Sequence, residues 1–325
     1  MPTLESLLKE TNKKYGEIAV ASDQSHDNIE SISICPSIDY ILGGGVPLGR
    51  IISINGEPSQ GKSTLSAFIV SQFQKAGKTC CWIDTEACFS KKYSEDIGVD
   101  TSKLVLVQPN TGEEAMNVLH EFTDSGLFSL IVVDSTAGIV PTTEMEANME
   151  QATIALQARL ISRGLKATVM PASKNGTTII FISQLRDNIG GFGKTKLQTG
   201  GNALRFFSSV ILNVRTMGKI KNKTDVIGNR LKIKADKNKV SVPFRESEID
   251  VYFARGVDVV ADTFDFAVSK ELITKSGITY SYGDIKLGAG RDRAIEGLAA
   301  NDGLLNEINK IIKGDKDGKE TEIAG

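Results

Sequence analysis

One octapeptide restricts the possible folds of this chain more than any other feature. Residues 56–63 read Gly-Glu-Pro-Ser-Gln-Gly-Lys-Ser and fit the pattern G-x-x-x-x-G-K-[ST]. The apolar run 51–54 precedes this loop and the helical pattern 64–75 follows it, which is the strand, loop and helix context of a phosphate-binding P-loop. A glycine turn before a helix is the alternative interpretation. The octapeptide predicts an α/β fold in which one sheet strand ends at a phosphate site.

Each part of this loop has a chemical task. Glycines let successive backbone N–H groups turn toward phosphate oxygens, and the helix N-terminus adds the positive end of its dipole. The spacing predicts that Lys62 reaches the β- and γ-phosphates and that Ser63 binds Mg²⁺. The residues expected to contact the nucleotide are Gly56, Glu57, Pro58, Ser59, Gln60, Gly61, Lys62, Ser63 and Thr64.

Two other apolar runs are followed by acids. Asp134 comes directly after the run 130–133, and a buried carboxylate at a strand end needs a metal ion or a donor beside it. We therefore expect Asp134 to hold Mg²⁺ together with Ser63. Asp84 and Glu86 follow another strand-like run, and we expect Glu86 to orient or deprotonate an attacking water. Asp84 is either a partner behind Glu86 or, in the alternative interpretation of both acids, a solvated turn residue.

Strands and helices alternate after residue 51. Strand-like runs lie at 79–83, 104–107, 130–133, 177–182 and 210–214, and helical patterns between them include 113–123 and 155–167. This alternation is typical of an α/β P-loop core with a mostly parallel central sheet.

The pattern changes at both ends of this core. Leu4, Leu7 and Leu8 lie on one side of a helix too short to be stable alone, which predicts that it docks on another surface. After Gly256, helical patterns surround a short hairpin, and they lie at 266–275, 293–301 and 304–312. The expected organisation is an N-terminal oligomerisation segment (1–30), a core (31–256), a small α+β C-terminal domain (257–313) and a flexible tail (314–325).

Composition excludes several classes of protein. Lys and Arg total 38 against 40 Asp and Glu, so the net charge is −2 and any nucleic-acid surface is local. No apolar run reaches the roughly 20 residues that span a bilayer, and we expect a cytoplasmic protein. Four cysteines and two histidines give no zinc-site spacing. Cys80 and Cys81 are neighbours in a strand and point to opposite faces, so they are expected to be free.

A glycine-rich stretch follows the strand-like run 177–182. Gln184 lies where that strand meets the nucleotide, and 187–201 then contains five glycines together with Lys194 and Lys196. Backbone amides and lysines suit phosphates, and Ile189 is placed to insert between bases. A mobile surface loop without a ligand is the alternative interpretation.

Seven stretches together resemble the bacterial RecA recombinases in order and spacing, over about residues 4 to 312. The stretches are 56–63, 81–86 (CWIDTE), 108–113 (QPNTGE), 131–135 (IVVDS), 181–186 (FISQLR), 199–206 (TGGNALRF) and 237–239 (KNK). The last two are far more specific than a P-loop alone.

The resemblance implies a set of roles in ATP hydrolysis. Glu86 matches the catalytic glutamate, and Gln184 matches the glutamine that senses the γ-phosphate. Lys237 and Lys239 match lysines that reach the nucleotide of the adjacent protomer, and Tyr93 matches the aromatic residue that stacks on adenine. The implied cofactors are ATP and Mg²⁺.

The resemblance also implies DNA contacts. Residues 144–154 correspond to a first DNA loop and 187–202 to a second. The residues expected to contact DNA are Arg159, Ser162, Lys166, Arg186, Ile189, Gly200, Gly201 and Asn202. The implied partners are single-stranded DNA, homologous double-stranded DNA and further copies of this chain in a helical homo-oligomer, with no membrane.

Three positions depart from the family pattern. Ser90 stands where an aspartate usually contacts adenine, which puts the strictness of base selection in doubt. The P-loop reads Glu-Pro-Ser-Gln where Pro-Glu-Ser-Ser is usual, so the role of Glu57 is open. The acidic tail of many bacterial members is reduced to 314–325.

Three functions compete at this point. The leading hypothesis is an ATP-dependent recombinase that polymerises on single-stranded DNA and exchanges strands. A hexameric helicase or motor with a RecA core is disfavoured because only about 30 residues precede the core, whereas such motors usually carry a large N-terminal domain. A non-enzymatic, ATP-gated scaffold is disfavoured by the presence of Lys62 and Glu86.

Overall fold

The computed structural model describes residues 3–15, 29–147, 155–187, 196–198, 202–222, 224–253 and 255–314. It divides into two units, of which the first ends at Glu30. In that first unit, helix α1 (Leu4–Tyr15) carries the exposed side chains of Leu4 and Leu7. No helix in the described ranges is long and apolar enough to cross a bilayer.

The second unit begins with the P-loop core. Its elements up to the end of the parallel strands are β1 (Ser31–Ile32), α2 (Pro36–Leu42), β2 (Val46–Pro47), β3 (Ile51–Gly56), α3 (Lys62–Lys75), β4 (Cys80–Asp84), α4 (Lys91–Ile97), β5 (Leu104–Val107), α5 (Gly112–Ser125), β6 (Leu130–Asp134), α6 (Thr142–Met145), α7 (Leu156–Asn175) and β7 (Thr178–Asp187). The remaining core elements are β8 (Lys196–Gln198), α8 (Asn202–Phe207), β9 (Val210–Asn222), β10 (Asp225–Asn238), β11 (Glu246–Tyr252) and β12 (Gly256–Val257).

The central sheet has the order β12-β11-β10-β9-β3-β7-β6-β4-β5 within the described residues. Strands β9, β3, β7, β6, β4 and β5 run parallel to one another, and β10, β11 and β12 add an antiparallel extension. Because crossover helices cover both faces, the parallel strands read as continuous apolar runs. The α/β class and the mostly parallel sheet are therefore confirmed.

The two faces of the sheet belong to two apolar cores. Cys80 and Trp82 of β4 pack into one core with α3, whereas Cys81 and Ile83 pack into the other with α5 and α7. This alternation follows from the period of two in a strand. All four cysteines are free thiols, as expected, and burial raises the pKa of Cys80 and of Cys81 to about 12.

The C-terminal domain has its own apolar core. It consists of α9 (Val259–Ser269), β13 (Thr274–Ser276), β14 (Thr279–Tyr282), β15 (Ile285–Ala289), α10 (Arg291–Ala299) and α11 (Asp302–Gly314). The predicted helix 266–275 is wrong: Glu271 has a positive φ of 58°, so the chain turns after α9 and continues as a strand of a three-stranded sheet.

Hydrogen-bonded ion pairs connect this domain to the core. Arg291 of α10 donates to Asp265 of α9 and, at 3.0 Å, to Asp250 of β11, which also accepts two hydrogen bonds from Arg230. The Asp250 side chain is only 6% exposed, so its charge needs both guanidinium partners.

Asp262 of α9 makes a second connection to the core. Its Oδ2 accepts a hydrogen bond of 3.0 Å from the backbone N–H of Ser37 in α2, and the Cys35 thiol also bonds it. Burial raises the pKa of Asp262 to about 6, although hydrogen bonds from the side chain and backbone of Ser37 and from Cys35 oppose that shift.

We predict that acid stabilises the wild-type chain relative to Asp262→Asn. A folded-state pKa above the unfolded value means that burying the charge destabilises the fold above pH 6, and that protonation relieves this penalty as the pH falls through 6. Between pH 7 and pH 5 the wild type should gain about 1 kcal/mol over the variant. Urea unfolding of both proteins at the two pH values measures this gain, and an unchanged difference would contradict the prediction.

Candidate active site

The P-loop joins β3 to α3 at the carboxyl edge of the sheet. Gly61, the N-cap of α3, has a φ of 81°, and Ser59 has a φ of 61°. These left-handed residues turn the loop so that consecutive amides face inward. Gly56 lies against β9, because a Cβ there would come within 2.6 Å of the Val214 carbonyl oxygen.

Lys62 lies folded across the mouth of the loop. Its Nζ donates to the carbonyl oxygens of Gly56 at 3.0 Å and Glu57 at 2.7 Å. Burial lowers the pKa of Lys62, while the charges of Asp134, Glu86 and Glu57 oppose this shift. A buried ammonium that is held only by carbonyl oxygens is well suited to phosphate oxygens, which carry full negative charge.

Ser63 and Asp134 meet next to this lysine. The Ser63 hydroxyl hydrogen-bonds the Asp134 carboxylate, so the two predicted Mg²⁺ ligands lie side by side. Burial, together with the nearby carboxylates of Glu86 and Asp84, raises the pKa of Asp134 to about 6.

This pair fits Mg²⁺. A hydroxyl and a carboxylate are the hard oxygen ligands that Mg²⁺ takes, and Mg²⁺ is usually bound through one or two protein ligands plus substrate phosphates. The described residues contain no cluster of three or more His, Cys, Asp or Glu side chains that could hold a metal ion.

Glu86 approaches Asp134 from the neighbouring strand. Asp84 of β4 pairs in register with Asp134 of β6, and the chain after β4 brings Glu86 to Ser135, whose hydroxyl donates to Glu86 Oε1. The Glu86 side chain is exposed, so water reaches it. The structure thus brings Lys62, Asp134 and Glu86 together at one edge.

Asp84 organises the segment that carries Glu86. Its Oδ1 accepts from the backbone N–H groups of Glu86 at 3.3 Å and Cys88 at 3.2 Å, and its Oδ2 accepts from Phe89 N at 3.0 Å and Gln108 Nε2 at 2.9 Å. Asp84 is only 3% exposed. It is therefore a partner behind Glu86, and the alternative of a solvated turn acid does not hold for it.

Gln184 and Tyr93 border the P-loop on other sides. Gln184 of β7 is paired in parallel register with Gly56, which places it beside the first residue of the loop. The Tyr93 hydroxyl lies 2.7 Å from Thr64 Oγ1 on the P-loop helix. Ser90 caps α4 by accepting from Tyr93 N at 3.3 Å, so its hydroxyl is engaged in the fold.

Lys237 and Lys239 lie at the end of β10. Lys237 Nζ donates to the carbonyl oxygens of Arg205 at 2.7 Å and Phe206 at 3.2 Å, which end α8. Burial lowers the pKa of Lys237, and the charges of Lys239 and Arg205 lower it further. Lys239 is exposed, as is Phe206, whose side chain is 72% accessible.

Some of the predicted DNA contacts can be placed. Arg159, Ser162 and Lys166 lie at helical spacing along α7, and both cations are exposed. Asn202 is exposed at the start of α8. Arg186 belongs to the end of β7.

The second predicted DNA loop is only partly visible. Ile189, Gly200 and Gly201 lie outside the described residues, as does most of the first predicted loop. Within the glycine-rich stretch 187–201, Lys196–Gln198 forms a strand that pairs antiparallel with the end of β7.

Two contacts at the site were not anticipated from the sequence. Ser135 donates to Glu86, and its place directly after Asp134 was the available signal. The side-chain oxygen of Gln60 accepts from the backbone N–H of Thr216 on β9, and no pattern in the sequence indicates that partner.

Comparisons with known proteins identify the family of this chain. The family model of the RecA N-terminal domain matches residues 2–258, and that of the RecA C-terminal domain matches residues 261–315. The Campylobacter lari protein RecA is 42% identical over 96% of this chain and 92% of its own length. The Helicobacter hepaticus protein RecA is 42% identical over 98% and 94%.

A solved structure shares the fold. The crystal structure of the RadB recombinase aligns with a TM-score of 0.52 and 22% identity, covering 68% of this chain and 95% of the RadB chain. The Mycoplasma mycoides protein RecA is 41% identical over 95% of this chain and 91% of its own length. The chain belongs to the RecA family of recombinases, which act in DNA recombination and repair.

Proposed function

We propose that this chain is an ATP-dependent recombinase that assembles on single-stranded DNA, pairs it with homologous duplex DNA and exchanges strands. The observation that carries the proposal is the convergence of Lys62, the Ser63–Asp134 pair and Glu86 at one sheet edge. The site supports hydrolysis of a nucleoside triphosphate, and membership of the RecA family supports DNA as the second substrate. We also propose that the protein acts in the cytoplasm.

The separate tasks of hydrolysis would be carried out by a few side chains. Bound Mg²⁺, held by Ser63 and Asp134, supplies charge neutralisation at the phosphates. Lys62 binds the phosphate oxygens by exchanging its carbonyl partners for them. Glu86 accepts a proton from the attacking water, and Ser135 fixes the carboxylate by donating to one of its oxygens.

Self-assembly is supported by apolar side chains that the described part of the chain leaves exposed. Strand β5 forms one edge of the central sheet, and its Val105 and Leu106 are 37% and 42% exposed. Phe206 and Phe244 are exposed near the Lys237 end of β10. An open sheet edge and unburied aromatics are typical of surfaces that a second chain covers. We propose that neighbouring protomers cover them.

Contacts to DNA would be made mainly to phosphates. Arg159 and Lys166 offer charge along α7, which suits a protein that must bind any sequence. The expected second loop would add amides and Ile189 as a wedge.

Electron microscopy with single-stranded DNA and a slowly hydrolysed ATP analogue tests the proposal directly. Open helical filaments are expected. Closed rings would instead support the hexameric motor, and unassembled protein that still binds ATP would support the scaffold. A strand-exchange assay on filament preparations then tests the reaction itself.

We predict that Glu86→Gln preserves ATP binding and filaments but lowers hydrolysis by roughly 10²-fold or more, because the base is lost while the shape is kept. Lys62→Ala should instead abolish nucleotide-dependent DNA binding. ATPase rates and nucleotide affinity distinguish the two variants. Unchanged turnover in Glu86→Gln would show that another residue acts as the base.

Asp84→Asn should also lower turnover, by about 10-fold, while leaving nucleotide affinity nearly unchanged. An amide offers one acceptor oxygen in place of two, so the segment that holds Glu86 loses part of its four hydrogen bonds. Asp100→Asn is a control outside the site, because the Asp100 side chain also accepts a backbone hydrogen bond, from Ser102 N at 3.1 Å, at a helix start. Equal turnover in the Asp84 and Asp100 variants would count against this role.

A mixing experiment tests whether the lysine pair acts across the protomer interface. A Lys237→Ala, Lys239→Ala subunit retains its P-loop, and a Glu86→Gln subunit retains its lysines. We expect mixed filaments to recover part of the DNA-stimulated ATPase activity that each variant lacks alone, because some interfaces then combine an intact Glu86 with intact lysines. The measurement is turnover in filaments shown to contain both proteins. Absence of recovery would place the lysines in another role.

A further inference from the structure

The hairpin of β9 and β10 extends beyond the strand that carries the P-loop. Strand β3 pairs with β9 only as far as Asn213, and the later residues of β9 pair with β10 alone. This projecting part carries the exposed cations Arg215, Lys219 and Lys221. Its orientation therefore decides where these charges lie.

The P-loop touches the base of this hairpin at three points. Gly56 lies against the carbonyl of Val214, and Gly61 lies against Leu231 of β10, where a Cβ would come within 3.1 Å of the leucine side chain. Between them, the Gln60 side chain accepts a hydrogen bond from the Thr216 backbone N–H. Gln60 provides the polar link.

A bend point lies directly beyond that link. Leu231 pairs with Thr216 and Arg230 pairs with Gly218, so Met217 is an extra, bulged residue of β9. A Cβ at Gly218 would meet no atom within 4 Å, so the strand has room to move there. Among the described residues, Thr216 Oγ1 is a buried polar atom with no partner, which weakens this position further.

We propose that Gln60 is a positioning residue that couples nucleotide binding at the P-loop to the orientation of the β9–β10 hairpin and its cations. The inference rests on the proposed ATP site. When the loop amides bind phosphate oxygens, Gln60 moves with them. Its hydrogen bond to Thr216 then fixes the position of β9 just before the bulge. The hairpin beyond the bulge then presents its cations for binding a polyanion.

Hydrogen exchange of the full chain tests this coupling. The probe is a slowly hydrolysed ATP analogue with Mg²⁺, and exchange is followed in peptides covering the P-loop and in peptides covering residues 214–222. In the wild type, the nucleotide should slow exchange in both regions. In Gln60→Ala, protection of the P-loop should persist, whereas the response of 214–222 should fall by about 10-fold, the size of one hydrogen bond linking two sites.

One variant separates coupling from general damage to the loop. Gln60→Glu retains an acceptor oxygen and should retain the hairpin response.

Thr216→Pro removes the donor without altering the P-loop. Strands accept proline beside bulges, and this N–H is directed to Gln60. The variant should lose the hairpin response as Gln60→Ala does, which covers the case in which Gln60→Ala no longer binds nucleotide.

The outcomes are distinct. Protection of the P-loop without any response of 214–222 in the wild type would overturn the coupling and leave the ATP site intact. A full hairpin response in Gln60→Ala or in Thr216→Pro would overturn it as well. Absence of protection in both regions of the wild type would remove the proposed ATP site and the coupling with it.

Discussion

Negative charge is concentrated at the carboxyl edge of the sheet, where Asp84 is buried and Asp134 is half-buried. Asp84 and Asp134 lie side by side on neighbouring strands, with Glu86 next to them, and Lys62 is the cation that faces them. Burial and mutual repulsion raise the pKa of Asp134 to about 6, so the unliganded edge is electrostatically unfavourable. A bound metal ion would relieve that repulsion, so the edge is suited to the Mg²⁺ that we propose.

The rest of the core holds these charges in place. Parallel strands bring the ends of β3, β4, β6 and β7 to one edge, and their apolar side chains fill both cores. Asp84 avoids repulsion by giving its oxygens to three backbone N–H groups and one amide, which also fixes Glu86. The same burial that makes its charge expensive makes those hydrogen bonds strong. Asp84, whose role is structural, therefore positions Glu86, the residue that we propose as the base.

The sequence was sufficient for the parts of the fold and site that depend on local patterns. The P-loop, Asp134 and the alternation of strands and helices follow from residue spacing, and the structure places them as expected. The helix 266–275 was predicted wrongly because the apolar spacing continues through a left-handed turn at Glu271. The role of Asp84 was undecided because the amides that it accepts lie on a turn whose path spacing does not reveal.

Contacts between residues that are far apart in the chain could not be predicted from the sequence for a different reason. Gln60 bonds a residue 156 positions away, and Lys237 bonds the end of α8, which lies 31 and 32 positions earlier. Such contacts depend on which strands are neighbours in the sheet, and that order is set by the packing of the whole core. The backbone N–H of Thr216 could have served any acceptor, so nothing in its sequence context points to Gln60.

Charge also offers a physical reason for the proposed action of Lys237 and Lys239 across a protomer interface. A triphosphate adds negative charge to an edge that already has three carboxylates and one lysine, and a metal ion offsets only part of it. Near the C-terminal end of β10, Lys237 lies close to Lys239 and Arg205, and burial together with their repulsion lowers its pKa. Each surface carries the charge that the other lacks. If assembly brings them together, the phosphates gain cations and the lysines gain anions, so one contact stabilises both the filament and the charge that develops during hydrolysis.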